Sequence, residues 1–361
     1  MSSPTTGMKG HGYYDDHSEY QRRVAERGLD ALVSLVQRTE GRRADLLTIV
    51  DYGCSEGANS IAAVRAVITA IRRERADSCL VAVHNDLPTN DFNALFHNLS
   101  DPDRSYLSVP GGPILPMGSP RSFYDLVVPP SSATIGVSFS AAHWFRSQPA
   151  ATVPRSMCAM DDTRTPSPLA EQADADWTQF LTARASELTA GGVLYVQMIG
   201  TLVDPDGTRH VTAERLLHAM HDVAEAQVAQ GQLREETLAG FVFPTYMRSA
   251  AEAVAPLQRG GSPVAGRFEV EQATVDPVPN PYLDTLHDGD AATYAQRYVA
   301  FVRAFTESTL RRDLFEPGAD HPDTALDDFY AELERRTAAD PAWSVFEDWT
   351  LTVALTRTAS P

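Results

Sequence analysis

Lysine is almost missing from this chain. Among 361 residues Lys9 is the only one, and the other strongly basic side chains are all arginine. A Schiff-base enzyme, or a short-chain dehydrogenase, would have to recruit its amine from a Ser-, Thr-, Gly- and Pro-containing N-terminal stretch, which argues against both. The three cysteines, Cys54, Cys79 and Cys158, are far apart and form no CxxC pair, so a disulfide framework or structural zinc site is not expected. The ten histidines show no HExxH spacing, and no metal is expected. There is no run of eighteen apolar residues and no signal-peptide core. A soluble, cytoplasmic protein without membrane contact is therefore expected. Acids outnumber cations, and the net charge of −18 excludes the clustered positive surface that nucleic acid requires. The heavy alanine and arginine usage fits GC-rich coding.

What is present is organised around Leu46 to Ser60. The apolar run Leu46, Leu47, Ile49, Val50 predicts a strand ending at Asp51. Gly53-Cys54-Ser55-Glu56-Gly57 predicts a tight turn, and Ala58 to Arg75 a helix with Ile61, Val64, Val67, Ile68 and Ile71 on one stripe. Strand, glycine turn and helix make the opening unit of a doubly wound sheet, where ligands bind at the carboxyl end of the strand. Glycine there lets backbone N–H groups come close to a ligand.

Before this unit, Ser18 to Arg38 reads as a helix. After it, Leu80 to His84 reads as a second strand ending at Asn85-Asp86-Leu87-Pro88, with a helix over Asn90 to Asn98. Asp101 to Pro120, with five prolines, reads as loop. Thr134 to Phe139 is a strand, Leu169 to Thr189 a helix stopped by Gly191-Gly192, and Val193 to Ile199 a further strand. This alternation predicts an α/β fold with a mostly parallel sheet. Beyond it come helices over Val211 to Glu236, Ser249 to Leu257, Ala291 to Phe315 and Thr324 to Ala338. Strands are expected at Phe268 to Ala273 and Val345 to Thr356. The expected division is a cofactor-binding core over 1–200, a mostly helical cap over 201–340 with one core strand near 268–273, and a final core strand within 341–361.

The DxGxxxG turn is compatible with any tight βα connection and is not the GxGxxG dinucleotide fingerprint. Asp51 would repel a pyrophosphate but suits a cationic group. Asp86, at the end of the second strand, can accept from two ribose hydroxyls. S-adenosylmethionine combines an ammonium, a sulfonium and a ribose. His143-Trp144, after the third strand, reads on its own more readily as core than as ligand wall. Cys54 lacks an assignable histidine partner, which argues against a thiol nucleophile.

Taken in order, these stretches resemble the SABATH family of S-adenosylmethionine-dependent carboxyl methyltransferases, and a bacterial member is expected. SYAxNSxxQ corresponds to Tyr13 through Gln21, with Tyr14, Ser18 and Gln21 in place. DLGCSSGPNT corresponds to Asp51 through Ser60, including Asn59. NDLPxNDFN is matched by Asn85 through Asn93, and SFY by Ser122-Phe123-Tyr124. Ser138 through Pro149 follows SSYSLHWLSQxP, and Phe243-Pro244-Thr245-Tyr246 a later P-x-Y segment.

The resemblance implies a Rossmann-like sheet with an inserted helical cap, a homodimer, and S-adenosyl-L-methionine as cofactor with S-adenosyl-L-homocysteine as product. Tyr14, Ser18, Asp51, Gly53, Asn59, Asp86, Leu87, Ser122 and Phe123 would line the cofactor site. Gln21 and Trp144 would hold a substrate carboxylate, without a general base. Phe139, Ser140, His143 and Tyr246 would shape the acceptor pocket. Ser140 replaces a tyrosine common in the family. The implied reaction is methyl-ester formation on a small aromatic, indolic or fatty acid. N-methylation of a heterocycle and silent cofactor binding remain as alternatives; a nicotinamide oxidoreductase is disfavoured by Asp51 and by the lack of lysine.

Overall fold

A computed structural model describes residues 19–39, 46–57, 60–287 and 289–359. Its centre is a seven-stranded sheet in the order β3-β2-β1-β4-β5-β9-β8. The strands are β1 (Leu46–Tyr52), β2 (Cys79–Asp86), β3 (Ile114–Pro120), β4 (Ala133–Phe139), β5 (Leu188–Ile199), β8 (Phe268–Val278) and β9 (Asp348–Arg357). The first five pair in parallel, while β9 runs antiparallel to both β5 and β8. A short hairpin, β6 (Thr201–Val203) with β7 (Arg209–Val211), stands apart.

Parallel strands are covered on both faces, which explains why β1 reads as a nearly continuous apolar run. Side chains alternate across it: Leu47 and Ile49 enter the core under α1 (Glu19–Arg38) and α2 (Ser60–Arg72). Val50 and Tyr52 enter the opposite core. That second core lies under two helices. With α3 (Phe92–Asn98) counted before them, they are α4 (Pro168–Glu187) and α7 (Ala250–Gln258).

Between α4 and α7 in sequence come α5 (Glu214–Ala229) and α6 (Glu235–Ala239). After β8 come α8 (Leu283–His287), α9 (Ala291–Leu310) with a π-helical turn at Arg311–Phe315, and α10 (Pro322–Ala339). Leu216, Met220 and Val223 of α5 share one core with Phe301 and Val302 of α9 and with Leu326 and Phe329 of α10. Tyr20 and Val24 of α1, and Trp144, join the same cluster. The chain leaves β8 at Val278 and returns at Asp348, directly opposite, level with the carboxyl ends of the parallel strands. The helical layer is thereby anchored at that edge. Among the described residues no helix is long and apolar enough to cross a membrane.

Several sequence expectations need correction. The Pro-rich 101–120 stretch ends in β3, which tolerates Pro116 and Pro120 because it is an edge strand whose outer side needs no N–H donors. Gly191-Gly192 does not stop α4. The helix ends at Glu187 and β5 begins at Leu188. Glu187 is pinned where it ends, accepting from Tyr52 Oη at 2.7 Å and Arg184 Nε at 2.9 Å. The two glycines sit in β5 beside a register shift in β4, where a Cβ at Gly192 would come 3.0 Å from the Thr134 carbonyl. The expected helix over Val211 to Glu236 is three elements: the end of β7, α5 and the start of α6. Ser18 lies outside the described residues.

Candidate active site

The βα turn after β1 is held from behind by the end of β2. Gly53 and Cys54 donate their N–H groups to the Asn85 carbonyl at 2.8 and 3.0 Å. Ser55 N–H donates to Asp86 Oδ2 at 2.7 Å, and the Asn90 amide donates to the Ser55 carbonyl at 2.8 Å. Asn85 reaches the other way, donating to the Ser119 and Arg121 carbonyls at 2.8 and 2.7 Å, and so ties β3 to β2. The Asn85–Asn90 stretch is thus a bracket for the turn.

Gly53 has φ +85°, and a Cβ there would lie 2.3 Å from Ala141 Cβ and 3.7 Å from Phe123 Cε1. Only glycine fits this position. Phe123 is fixed in turn by Arg184, whose Nη1 donates to its carbonyl at 2.5 Å. Ser122 accepts from Tyr124 N–H at 3.3 Å. Tyr14, Ser18 and Asn59 lie outside the described residues.

Two acids stand at this turn, one buried and one half-buried. Asp51 is 1 % exposed, and its Oδ1 has no hydrogen-bond partner among the described residues. Asp86 accepts from Ser55 N–H through Oδ2 and from Leu87 N–H at 2.8 Å through Oδ1. Burial pushes its pKa up to about 6, so it is mainly ionised at neutral pH. Each oxygen keeps a second lone pair for a hydroxyl donor. A partnerless buried carboxylate oxygen and a glycine that admits no Cβ suit a ligand with a cationic end.

Next to this turn is a cavity. Its polar wall includes Gln21 of α1, Ser140 and His143 after β4, and Thr350 and Asp348 of β9. Apolar wall comes from Trp144, Leu216, Leu217, Phe243, Phe301, Phe305 and Phe346. The post-β4 turn joins the two spaces, because Ala141 abuts Gly53 while Ser140, His143 and Trp144 line the cavity. That turn is clamped: Ser140 N–H donates to the Gln197 carbonyl at 2.8 Å, and Arg248 Nη1 to the Ala142 carbonyl at 2.9 Å. Tyr124 Oη donates to the Trp144 carbonyl at 2.5 Å.

Gln21 Oε1 is buried without a partner among the described residues. Burial, reinforced by Arg248, drives the His143 pKa down to about 3, so this wall is neutral imidazole. The described lining carries no arginine. Asp348 is the surprise. It is 4 % exposed, accepts from Thr350 Oγ1 at 3.1 Å, and burial pushes its pKa up to about 6.

Two expected wall residues do not reach the cavity. The segment 243–247 alternates, with Phe243, Thr245 and Met247 facing in. Tyr246 faces out, packs on Phe145 and donates to Glu252 Oε1 at 2.8 Å. Phe139 turns into the α1 side of the core, near Tyr195. Sequence reading missed Leu216, Phe301, Phe305, Phe346 and Asp348. Their only signal was an apolar helical stripe, or a place in an alternating strand, and neither says which surface they face.

The parallel sheet closed by an antiparallel β9-β8 pair, with a ligand turn after its first strand, defines a Rossmann-like methyltransferase fold. Residues 3–358 match the family described as SAM dependent carboxyl methyltransferase, and the chain belongs to that family, known as SABATH. It is an S-adenosylmethionine-dependent enzyme.

Gibberellic acid methyltransferase 2 of Arabidopsis thaliana is 29 % identical over 246 residues, which span 62 % of each chain. Gibberellic acid methyltransferase 1 of the same plant is 26 % identical over 80 % of this chain and 82 % of its own. A 3,7-dimethylxanthine N-methyltransferase of Camellia sinensis is 28 % identical over 84 % of each. These relatives are plant proteins and give no support to a bacterial source. A structure titled loganic acid methyltransferase with SAH superposes with a TM-score of 0.80 at 21 % identity, covering 98 % of this chain and 99 % of that one.

Proposed function

We propose that the enzyme forms the methyl ester of a small, largely apolar carboxylic acid. The observation that carries this reading is the cavity beside the Gly53 turn, apolar except for a few groups, with Gln21 and Trp144 both in its wall. When bound, S-adenosylmethionine supplies an electrophilic methyl that an acceptor oxygen takes by in-line displacement, leaving S-adenosylhomocysteine.

A carboxylic acid of ordinary pKa, about 4, is already ionised at neutral pH, so no general base is needed. Neutral His143 is consistent with that. Rate comes from alignment, which supplies up to about 7–11 kcal/mol when reacting atoms are held in contact. In this reading Gln21 and Trp144 donate hydrogen bonds to the carboxylate. Asp51 faces the ammonium end of the cofactor, and Asp86 its ribose. Ser122 and Phe123 lie at its adenine. The α/β core of 1–200 binds the cofactor, the helices of 201–340 shape the acceptor space, and the final strand within 341–361 closes it. A homodimer completes the proposal, and sedimentation checks it.

A second reading has its own observation. Asp348 puts an acceptor in a wall without an arginine, which suits a neutral N–H heterocycle.

Purified enzyme with methyl-labelled cofactor and a panel of aromatic, indolic, terpenoid and fatty acids, with xanthines alongside, decides between them. Labelled ester is the expected product; labelled N-methyl product alone overturns the first reading. Trp144→Phe is expected to weaken kcat/KM by the worth of about 1–3 kcal/mol, the range for a donor to a charged acceptor. Unchanged turnover of every acid in both Trp144→Phe and Gln21→Ala would remove these residues from the carboxylate site.

A further inference from the structure

Behind Asp51 lies a chain of side chains that the roles above leave unused. Nδ1 of His84, on β2, is 3.0 Å from Asp51 Oδ2, and Nε2 of the same ring is 2.9 Å from the Tyr106 hydroxyl. His84 and Tyr106 are fully buried and their rings stack at 5.8 Å, with an interplanar angle of 18°. Burial and the nearby Asp51 charge raise the Tyr106 pKa, so the hydroxyl keeps its proton and is able to donate to Nε2. With Tyr106 as the donor to Nε2, the ring hydrogen on Nδ1 points to Asp51 Oδ2. This occupies Oδ2 and leaves Oδ1 partnerless among the described residues.

The same neighbourhood also resembles a metal site, since ligand atoms of Asp51, Cys54 and His84 lie within 4.8 Å of one another. Both ring nitrogens of His84 are already engaged, however. Burial, with Asp86 and Asp51 nearby, also raises the Cys54 thiol well above its ordinary range, and a thiol that keeps its proton is a poor ligand. The group is a hydrogen-bond relay.

We infer that His84 and Tyr106 are positioning residues that lock the Asp51 carboxylate, so that its free oxygen accepts from the cofactor's ammonium group; this rests on the proposed role of Asp51. Without the relay the carboxylate gains torsional freedom and loses the fixed acceptor direction. Binding should suffer in proportion to what the ammonium contributes.

The test is calorimetric binding of S-adenosylhomocysteine and of its analogue lacking the amino group. The wild type is expected to favour the amino-bearing ligand. His84→Leu should lose about tenfold on that ligand and little on the analogue, a size typical of one charge-assisted hydrogen bond. His84→Asn, whose amide can replace the Nδ1 donor, should recover most of the loss. Tyr106→Phe, which keeps the packing, should show a smaller loss of the same selectivity. If His84→Leu and Tyr106→Phe both keep wild-type discrimination between the two ligands, the relay is merely core and the inference is overturned. One equivalent of zinc in the purified protein would also overturn it. If the wild type itself fails to discriminate, the Asp51 reading falls first.

Discussion

The Gly53 turn and the apolar cavity, proposed above as cofactor and acceptor sites, are neighbours at one sheet edge, joined where Ala141 meets Gly53, yet they are built in opposite ways. The turn comes from two short stretches, Asp51 to Gly57 and His84 to Asn90, locked by hydrogen bonds to specific backbone groups. The cavity draws on residues from Tyr20 to Thr350, mostly apolar side chains spread over helices, loops and strand ends. A polar lock leaves little room for exchange, because each lost partner strands a buried group. An apolar wall tolerates exchange as long as volume is kept. Such a molecule keeps one cofactor while its acceptor space changes.

The contrast breaks most completely at Gly53, the point both regions share. Gly53→Ala forces a left-handed φ on a residue with a Cβ, at about 1–2 kcal/mol, and drives that Cβ into Ala141. Overpacking adds about 1–3 kcal/mol. The expected outcome is loss of measurable cofactor heat and of turnover together, with a lowered Tm; wild-type cofactor affinity would contradict it.

Two acids, one on each side, sharpen the comparison through pH. Asp86 and Asp348 both have pKa values pushed up to about 6 by burial. The native state therefore holds these protons more tightly than the unfolded chain, whose carboxyls titrate near 4. Their contribution is fully favourable below about pH 4 and is lost as pH rises to about 6, at on the order of 2–3 kcal/mol each. Asp348→Asn should flatten part of this decline in urea unfolding between pH 4 and 7, leaving the share due to Asp86. An unchanged slope would show that Asp348 titrates normally.

The smallest expected effect isolates the acceptor side. Phe305 lines the cavity but is only partly buried, so Phe305→Ala should cost less than the roughly 3–5 kcal/mol of a core phenylalanine. Bulkier acids should gain turnover relative to small ones, while cofactor affinity stays within about twofold, an energy difference under 0.5 kcal/mol. A parallel fall in cofactor affinity would mean that the two regions are not separable.

The same contrast explains what was legible in the sequence. The strand Leu46 to Val50, the Gly53 turn and the Asn85–Asn90 bracket could be read because hydrogen-bonded turns demand particular residues at particular spacings. The proline-bearing strand β3 was hidden because edge position, a tertiary fact, is what makes Pro116 acceptable. The inward Phe243 and outward Tyr246 could not be told apart without knowing that Trp144 pairs with Thr245 and sets their alternation. His84 reads as one more position in an apolar strand until Tyr106, more than twenty residues on, is brought to its far side.

The register Val278↔Asp348 has one more consequence. Everything from 279 to 347 enters and leaves the sheet at two adjacent strand positions, roughly 5 Å apart in a paired ladder. Closing such a loop costs an entropy that grows only with the logarithm of its length. The part of the helical layer from α8 to α10 can therefore lengthen, shorten or be traded for another without re-registering a single strand. In evolutionary terms it is a cassette. On the proposed roles, grafting the corresponding stretch from a relative between Val278 and Asp348 would exchange the Phe301, Phe305 and Phe346 wall of the acceptor space while leaving the Gly53 turn alone.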